Sequence, residues 1–183
     1  MRLAGPVGPG TRVLDVGCGN GFWAGRFAAL GCEVVGIEPG SSGIELARKT
    51  YPDVRFEQMG AGPTMLQDLG EAPFDVIVST EVIEHLYSPE GYAQGCFDAL
   101  RPGGTFVMST PYHGRLKDIV LAVSGKMDFH HDALREGGHI KFFSRRILEE
   151  LLVGRVGFRD FTFVGAGRVP YVWKSMVVSV TRP

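Results

Sequence analysis

The sequence predicts an α/β fold, in which helices cover both faces of a mostly parallel sheet. An apolar run at residues 13–16 leads into a glycine-rich turn, a helical pattern and a second apolar run at 34–37. A nearly all-apolar run at 74–79 is typical of a strand that helices cover on both faces. Two strand-like runs, 156–164 and 172–181, have no helix between them, so they pair antiparallel if they are neighbours.

Strands and helices are expected to alternate regularly as far as residue 109. The spacing of Trp23, Phe27 and Leu30 predicts the first helix. Ser42 and Glu45 fit a capping box that starts a second helix, which we expect to run through residue 49. Further helices are expected before residue 69, from 88 to the turn at 101–104, and after 144. We expect the strands between them at residues 12–16, 34–37, 54–57, 74–79 and 105–109.

The length and composition predict one domain, 1–183, that carries an insert without a strand of its own at about 111–143. A chain of 183 residues buries one α/β core well and is too short for two. The net charge of −1 provides no field to attract nucleic acid, so no nucleic acid partner is expected. Three cysteines, an odd number, indicate a reducing compartment. Without a signal peptide or a membrane-length apolar run, the sequence predicts a cytoplasmic protein with no transmembrane segment.

A cofactor site is expected at the turn after the first strand, where Gly17, Gly19 and Gly21 occupy alternate positions. Glycines let a ligand approach bare backbone, and the amides at the start of the next helix favour a negative group. Glu38 follows the second strand about 20 residues further on, where nucleoside-binding proteins place an acid on the ribose hydroxyls. A dinucleotide would need a third glycine where this chain has Phe22. The unit therefore predicts a nucleoside cofactor.

Residues 15–21 read D-x-G-x-G-x-G, which resembles the motif of the class I S-adenosylmethionine (SAM)-dependent methyltransferases. The resemblance implies a Rossmann-like, seven-stranded sheet in the order 3-2-1-4-5-7-6, with strand 7 antiparallel. It implies that SAM binds, with S-adenosylhomocysteine as product, that Glu38 grips the ribose, and that Asp15 holds the loop and the amino group. The cofactor contacts so implied are Asp15, Gly17, Cys18, Gly19, Gly21, Glu38, Pro39, Gly60, Ala61, Thr80, Glu81 and Val82.

A second motif follows the predicted fourth strand, where residues 81–86 read E-V-I-E-H-L. This run, with 73–76, 109–114 and 173–177, is similar to the ubiquinone-biosynthesis O-methyltransferase branch (methyltransferase type 11/12). The resemblance extends from residue 12 over essentially the whole chain. It implies methyl transfer to a small molecule, with a phenol or hydroxyl oxygen as the acceptor atom.

The loop 81–86 is expected to face the cofactor, because ligands of open α/β sheets lie beyond the carboxyl ends of the strands. His85 is the candidate base for the acceptor's proton, since imidazole titrates near neutral pH. Glu84 or Glu81 would orient its ring. The alternative is that His85 only hydrogen-bonds within the loop while Glu81 touches the cofactor.

A divalent metal site is a further hypothesis, because Glu81, Glu84 and His85 have the spacing of one face of a helical turn. This E-x-x-E-H run resembles the small-RNA 3′-terminal 2′-O-methyltransferases, in which such residues and a distant histidine hold an ion. His139 stands where that fourth ligand would come; otherwise it is a substrate contact or a lid residue. Carboxylates suit Mg²⁺ or Mn²⁺, and histidines favour transition metals.

The insert at 111–143 is expected to select the acceptor. Residues 116–123 are apolar enough for a short helix that acts as a lid or makes peripheral contact with a lipid surface. Relatives usually carry helices before the first strand, where this chain has about a dozen residues. The insert or the second subunit of a homodimer would cover the cofactor, or the sequence is shortened. The side chains that suit a phenolic or anionic acceptor are Tyr112, His113, Arg115, Lys117, Lys126, Phe129, His130, His131, Lys141, Phe142 and Phe143.

Three other functions compete with small-molecule O-methylation. A metal-assisted RNA-terminal 2′-O-methyltransferase is disfavoured by the net charge of −1. An NAD-dependent oxidoreductase is disfavoured by Phe22 and by the closing antiparallel strands. A non-catalytic SAM-binding protein would bind the cofactor and methylate nothing.

Overall fold

A seven-stranded mixed sheet forms the centre of the computed structural model, which describes residues 2–131 and 134–183. The strands are β1 Arg12–Val16, β2 Glu33–Ile37, β3 Arg55–Glu57, β4 Phe74–Thr80, β5 Leu100–Pro111, β6 Arg159–Ala166 and β7 Ser175–Thr181. Their order is β3-β2-β1-β4-β5-β7-β6. Strand β7 pairs antiparallel with β5 and β6, and the other pairs are parallel. This confirms the predicted strand order and the reversed seventh strand.

Helices connect the parallel strands, and further helices lie between β5 and β6. They are α1 Phe22–Ala28, α2 Ser41–Thr50, α3 Met65–Leu69, α4 Pro89–Ala99, α5 Arg115–Val123, α6 Met127–His131 and α7 Arg145–Glu149, the last continuing as a π-helical turn, Glu150–Val156. The Ser88 hydroxyl accepts a hydrogen bond from the amide of Gly91 and caps α4. The Ser144 hydroxyl caps α7 in the same way. The predicted starts of both helices are therefore confirmed.

Two apolar cores lie on the two faces of the sheet. Leu14, Ile77 and Phe106 belong to the larger core, which α4 and the end of α7 cover. Val13 and Phe27 belong to the smaller core, on the side of α1 and α2. Neighbouring residues of one strand point to opposite faces, which explains why apolar residues occupy consecutive positions in β1 and β4.

Two local predictions were wrong. Helix α2 begins one residue before Ser42, and Gly40 takes the N-cap position without a side-chain cap. The Gly40 amide instead donates to a carboxylate oxygen of Glu38 at 2.8 Å, so the helix start is bound to the end of β2. Strand β5 begins at Leu100, which pairs with Phe74, and an irregularity follows before the regular register resumes. The turn-like residues 101–104 therefore lie within a strand.

The insert at 111–143 carries α5 and α6 and returns to the sheet where it began. Tyr112 and Phe143 form an isolated parallel bridge, and the His113 amide donates to the Phe143 carbonyl at 3.0 Å. These contacts bring the two ends of the insert together beside the end of β5. Among the described helices, none has the length and apolar character that crossing a membrane requires.

Candidate functional site

The glycine loop between β1 and α1 is the first part of the site. Gly17 and Gly19 both have positive φ, at 73° and 51°. A Cβ atom on Gly17 would lie 2.3 Å from a methyl carbon of Val82, whereas one on Gly19 would meet nothing within 4 Å. Gly17 is therefore required by packing against the loop after β4, and Gly19 leaves an open surface. That open surface is where a ligand can approach the backbone.

Asp15 lies beneath the loop and is almost fully buried. Its Oδ2 accepts a hydrogen bond from the Ala24 amide at 3.0 Å, whereas its buried Oδ1 has no partner among the described residues. Burial raises the pKa of this carboxyl to about 7, with Glu38 adding to the rise. The bond to Ala24 ties β1 to the first turn of α1, and the orphaned oxygen is suited to a donor brought by a ligand.

Glu38 joins the glycine loop to the turn before α2. Its two carboxylate oxygens accept from the amides of Gly19 at 3.1 Å and Gly40 at 2.8 Å. The carboxylate is thereby held at the carboxyl ends of β1 and β2, next to the open surface of Gly19. This position suits an acid that grips vicinal hydroxyls, as in the ribose-binding arrangement.

The remaining predicted cofactor residues have different surroundings. The thiol of Cys18 is buried against β2, and burial raises its pKa to about 12. A Cβ atom on Gly21 would contact Phe56 and Ala47, so this glycine serves close packing of α1 on its neighbours. At the carboxyl edge of the sheet, Thr80 is the last residue of β4. The loops that follow β2, β3 and β4 contain Pro39, Gly60, Ala61 and Val82.

Two carboxylates occupy the loop after β4, each bound to a hydroxyl at the end of β5. The Ser109 hydroxyl donates to Glu81 at 2.8 Å, and the Thr110 hydroxyl donates to Oε2 of Glu84 at 3.0 Å. Glu81 has a positive φ of 56°, which is rare for a residue with a side chain. Glu84 is fully buried, and its Oε1 has no partner among the described residues. Burial raises the pKa of Glu84 to about 7, and the nearby Glu81 adds to the rise.

Two histidines complete a cluster with Glu84. Within the described residues, one ligand atom each of Glu84, His85 and His139 lies within 4.8 Å of the others. The rings of His85 and His139 meet edge to face, with their centroids 4.9 Å apart. Burial lowers the pKa of His139, and His85 lowers it further. The structure thus places together three of the four residues of the metal hypothesis, with Glu81 adjoining.

The ring of His85 is oriented differently from the prediction. Its Nδ1 lies 3.2 Å from the main-chain oxygen of Gly138, and no carboxylate hydrogen-bonds to the ring among the described residues. When Nδ1 carries the proton and donates to that oxygen, Nε2 keeps a lone pair that can accept a proton. The expectation that Glu84 or Glu81 orients this ring was therefore wrong.

The basic and aromatic side chains of the insert divide into buried, half-buried and exposed sets, and the half-buried ones are Tyr112, His130, His131 and Lys141. His113 is buried, and its ring meets His130, His131 and Phe142 at centroid distances of 4.9 to 6.0 Å. Lys117 is also buried, and its Nζ donates to the Tyr112 carbonyl at 2.8 Å. Phe143 is buried in the larger core. Exposed to solvent are Arg115, Lys126, Phe129 and Phe142.

Three contributors to the site had no role in the sequence reasoning. Ser109 and Thr110 were part of a motif without an assigned function, and the Gly138 carbonyl was not considered. Hydroxyl residues that end a strand next to the ligand-binding edge were the available signal. A backbone carbonyl carries no sequence signal, because every residue has one.

Fold and site together fit a nucleoside-binding α/β protein, with a glycine loop after β1 and carboxylates and imidazoles in and beside the loop after β4. A family model described as a methyltransferase domain matches residues 1–162. The ubiquinone biosynthesis O-methyltransferase of Roseobacter denitrificans is 38% identical over 122 residues, covering 63% of this chain and 47% of that protein. The enzyme of that name from Mesorhizobium japonicum is 32% identical over 172 residues, covering 93% and 67%. The chain spans about half the length of several curated relatives that it matches.

Solved structures show the same fold at low sequence identity. The YcgJ protein of Bacillus subtilis superposes with a TM-score of 0.73 at 15% identity, covering 99% of this chain and 95% of that one. A SAM-dependent methyltransferase of Archaeoglobus fulgidus gives 0.69 at 15% identity, covering 98% and 87%. The chain belongs to the methyltransferase domain family and has the class I SAM-dependent methyltransferase fold. Membership of this family decides against the NAD-dependent oxidoreductase.

Proposed function

We propose that this domain transfers the methyl group of SAM to an oxygen of a small molecule that carries a phenol or hydroxyl. The single observation that supports this choice best is the cluster of Glu84, His85 and His139, in and beside the loop after β4. An oxygen acceptor must lose a proton. This cluster offers groups that can take up that proton, or that can hold a cation which lowers the pKa of the acceptor hydroxyl. The names of the relatives from Roseobacter and Mesorhizobium add support for an oxygen acceptor.

The chain's own residues would bind and orient the cofactor. Glu38 would accept from the ribose hydroxyls, and the orphaned Oδ1 of Asp15 would accept from the amino group, directly or through water. The open surface of Gly19 leaves room for the amino-acid tail. When bound, SAM supplies an already activated methyl group, so most of the rate comes from orientation of the acceptor.

His85 is the proposed general base. The Gly138 carbonyl holds its Nδ1, which directs Nε2 away from that bond. A neutral imidazole held in this way can take the proton of the substrate hydroxyl at Nε2. The lone pair of the substrate oxygen is then available to attack the methyl carbon. Glu84 and His139 adjoin the ring and belong to the same proposed catalytic group.

A divalent cation fits the same cluster. Oε1 of Glu84 is buried without a partner among the described residues, and burial raises the pKa of this carboxyl. Its charged form therefore costs free energy unless a positive charge lies nearby. Glu84, His85 and His139 would hold the ion, with Glu81 beside them, and this mixture of one carboxylate and two imidazoles suits Mn²⁺ or another transition metal. Because Nδ1 of His85 is bound to the Gly138 oxygen, the ion would take Nε2, which could then not accept a proton. The ion would instead lower the pKa of an acceptor hydroxyl, so the cation and the His85 base are alternatives.

The test uses radiolabelled SAM and a panel of phenols, catechols and aliphatic alcohols. We expect transfer to at least one phenol or catechol, and His85→Ala should reduce it by roughly 100- to 10,000-fold with unchanged affinity for S-adenosylhomocysteine. Unaltered turnover in this variant would disprove the role of His85 as base. An intact protein that binds S-adenosylhomocysteine but methylates no member of the panel would contradict O-methylation of such acceptors.

The metal is tested separately by chelation and by Mn²⁺ titration. Glu84→Gln should weaken Mn²⁺ binding, whereas Glu90→Gln, an exposed acid on α4, is the matched control and should not. Full activity after complete chelation with EDTA would remove the metal from the proposal and leave His85 as the base.

We also propose that α5 and α6 make peripheral contact with a lipid surface. The apolar side chains of Ile119, Val123 and Phe129 are largely exposed, with Val123 at 85% and Phe129 at 89%. Exposed apolar side chains of this size beside Lys126 favour the interface of a membrane. A homodimer and a cytoplasmic location stay predictions.

A further inference from the structure

The end of β5 holds the loop after β4 through two consecutive hydroxyl residues. Ser109 donates to Glu81, and Thr110 donates to Glu84. Because consecutive strand residues point to opposite faces, the two bonds hold the loop from both sides of the strand. The Thr110 pair is the buried one, since Thr110 is 1% exposed and Glu84 is 0% exposed.

Glu84 also receives the returning end of the insert. Its main-chain oxygen accepts from the amides of Ile140 at 2.9 Å and Lys141 at 3.1 Å. His139 directly precedes these two donors in the chain. Glu84 therefore joins its own loop to two other segments: its carboxylate is bound to β5 and its carbonyl to the insert, where His139 faces the neighbouring His85.

We propose that Thr110 is a positioning residue, which holds Glu84 so that one oxygen remains for the cluster and the carbonyl remains in place for the insert. The inference rests on the proposed function of the cluster. A carboxylate with one oxygen bound to a fixed hydroxyl cannot rotate freely, so its other oxygen keeps one direction. Valine has nearly the same shape as threonine but cannot donate, so Thr110→Val removes the bond with little change in packing.

The first experiment measures amide hydrogen exchange and requires neither metal nor acceptor. In Thr110→Val we expect the amides of residues 140 and 141 to exchange roughly tenfold faster, because the Glu84 carbonyl is no longer held in position to accept hydrogen bonds from them. Thr110→Ser keeps the hydroxyl and should restore the wild-type rate. Thr105→Val is the matched control on the same strand, since the Thr105 side chain makes no hydrogen bond within the described residues. Thr110→Ala serves as the second hydroxyl-free variant if the valine form does not fold.

The second experiment measures Mn²⁺ affinity by electron paramagnetic resonance. Loss of a residue that holds a metal ligand typically weakens affinity by about 10- to 100-fold, and we expect this for Thr110→Val with unchanged affinity for S-adenosylhomocysteine. Wild-type exchange at residues 140 and 141 together with wild-type Mn²⁺ affinity would overturn the assignment. If the wild-type protein binds no Mn²⁺, the proposed metal site fails, and exchange at residues 140 and 141 alone decides the role of Thr110.

Discussion

Replacement of Gly17 by alanine separates the two reasons why this loop needs glycine. The added Cβ would lie 2.3 Å from Cγ2 of Val82, and the backbone would have to keep a φ of 73°. Gly19 has a similar backbone requirement, at 51°, but a Cβ there meets nothing within 4 Å. The two substitutions therefore share backbone strain, and only the one at Gly17 adds a clash.

The expected magnitudes follow from this difference. A left-handed backbone costs a residue with a side chain about 1 to 2 kcal/mol, which is the full expected loss of stability for Gly19→Ala. Overpacking adds about 1 to 3 kcal/mol, so Gly17→Ala should lose about 2 to 5 kcal/mol of the free energy of unfolding. Domains have about 5 to 15 kcal/mol in total, so both variants should still fold.

The assay is urea unfolding of both variants, of Val82→Ala and of the double variant Gly17→Ala with Val82→Ala. The double variant should be less destabilised than the sum of the single ones, because truncation of Val82 removes the methyl group that clashes. Gly10→Ala is a control for strain alone, since Gly10 has a φ of 81° and no heavy atom within 4 Å of its added Cβ. Equal destabilisation of the Gly17 and Gly19 variants, or simple additivity with Val82→Ala, would refute the reasoning.

Two further predictions concern the insert. Burial lowers the pKa of His113 from 6.5 to about 4, with Lys117 adding to the effect, so only the unfolded chain takes up this proton between those values. The free energy of unfolding of the wild type should therefore fall, relative to that of His113→Gln, as the pH drops from 6.5 towards 4. If the urea midpoints of the two proteins differ by the same amount at about pH 7 and about pH 5, this prediction is contradicted. Replacement of Val123 or Phe129 by serine should weaken binding to lipid vesicles by roughly tenfold each, measured by co-sedimentation. Equal sedimentation of wild type and variants, or none for wild type, would count against a lipid-facing insert.

Local pattern predicted most of the secondary structure but not its boundaries. Apolar runs at 13–16 and 74–79 correspond to β1 and β4, since both are buried on two faces. The capping box at Ser42 was wrong because the start of α2 is decided by the bond between Gly40 and Glu38, which belong to the preceding turn. The turn-like residues 101–104 lie within β5 as an irregularity between the pairs Phe74–Leu100 and Val76–Thr105, and Gly103 keeps a positive φ of 76° there.

The candidate site was predictable where its residues are neighbours in the chain. The glycine loop and Glu38 form one β-loop-α-β unit, whose geometry follows from short connections. Glu81, Glu84 and His85 were found for the same reason, as one loop after one strand. The partner of the His85 ring could not be found in this way, because Gly138 lies 53 residues further along the chain.

What the sequence determined by itself is the α/β architecture, the nucleoside-binding loop and the presence of acids and a histidine at the ligand-binding edge. These follow from periodicity and from residue types whose backbone or charge requirements act over a few positions. Only the tertiary structure decided that Thr110 binds Glu84, that the Gly138 carbonyl holds the His85 ring, and that His113 and Lys117 are buried. Such contacts depend on how long loops fold back onto the sheet, and side-chain burial there is set by packing between segments distant in the chain.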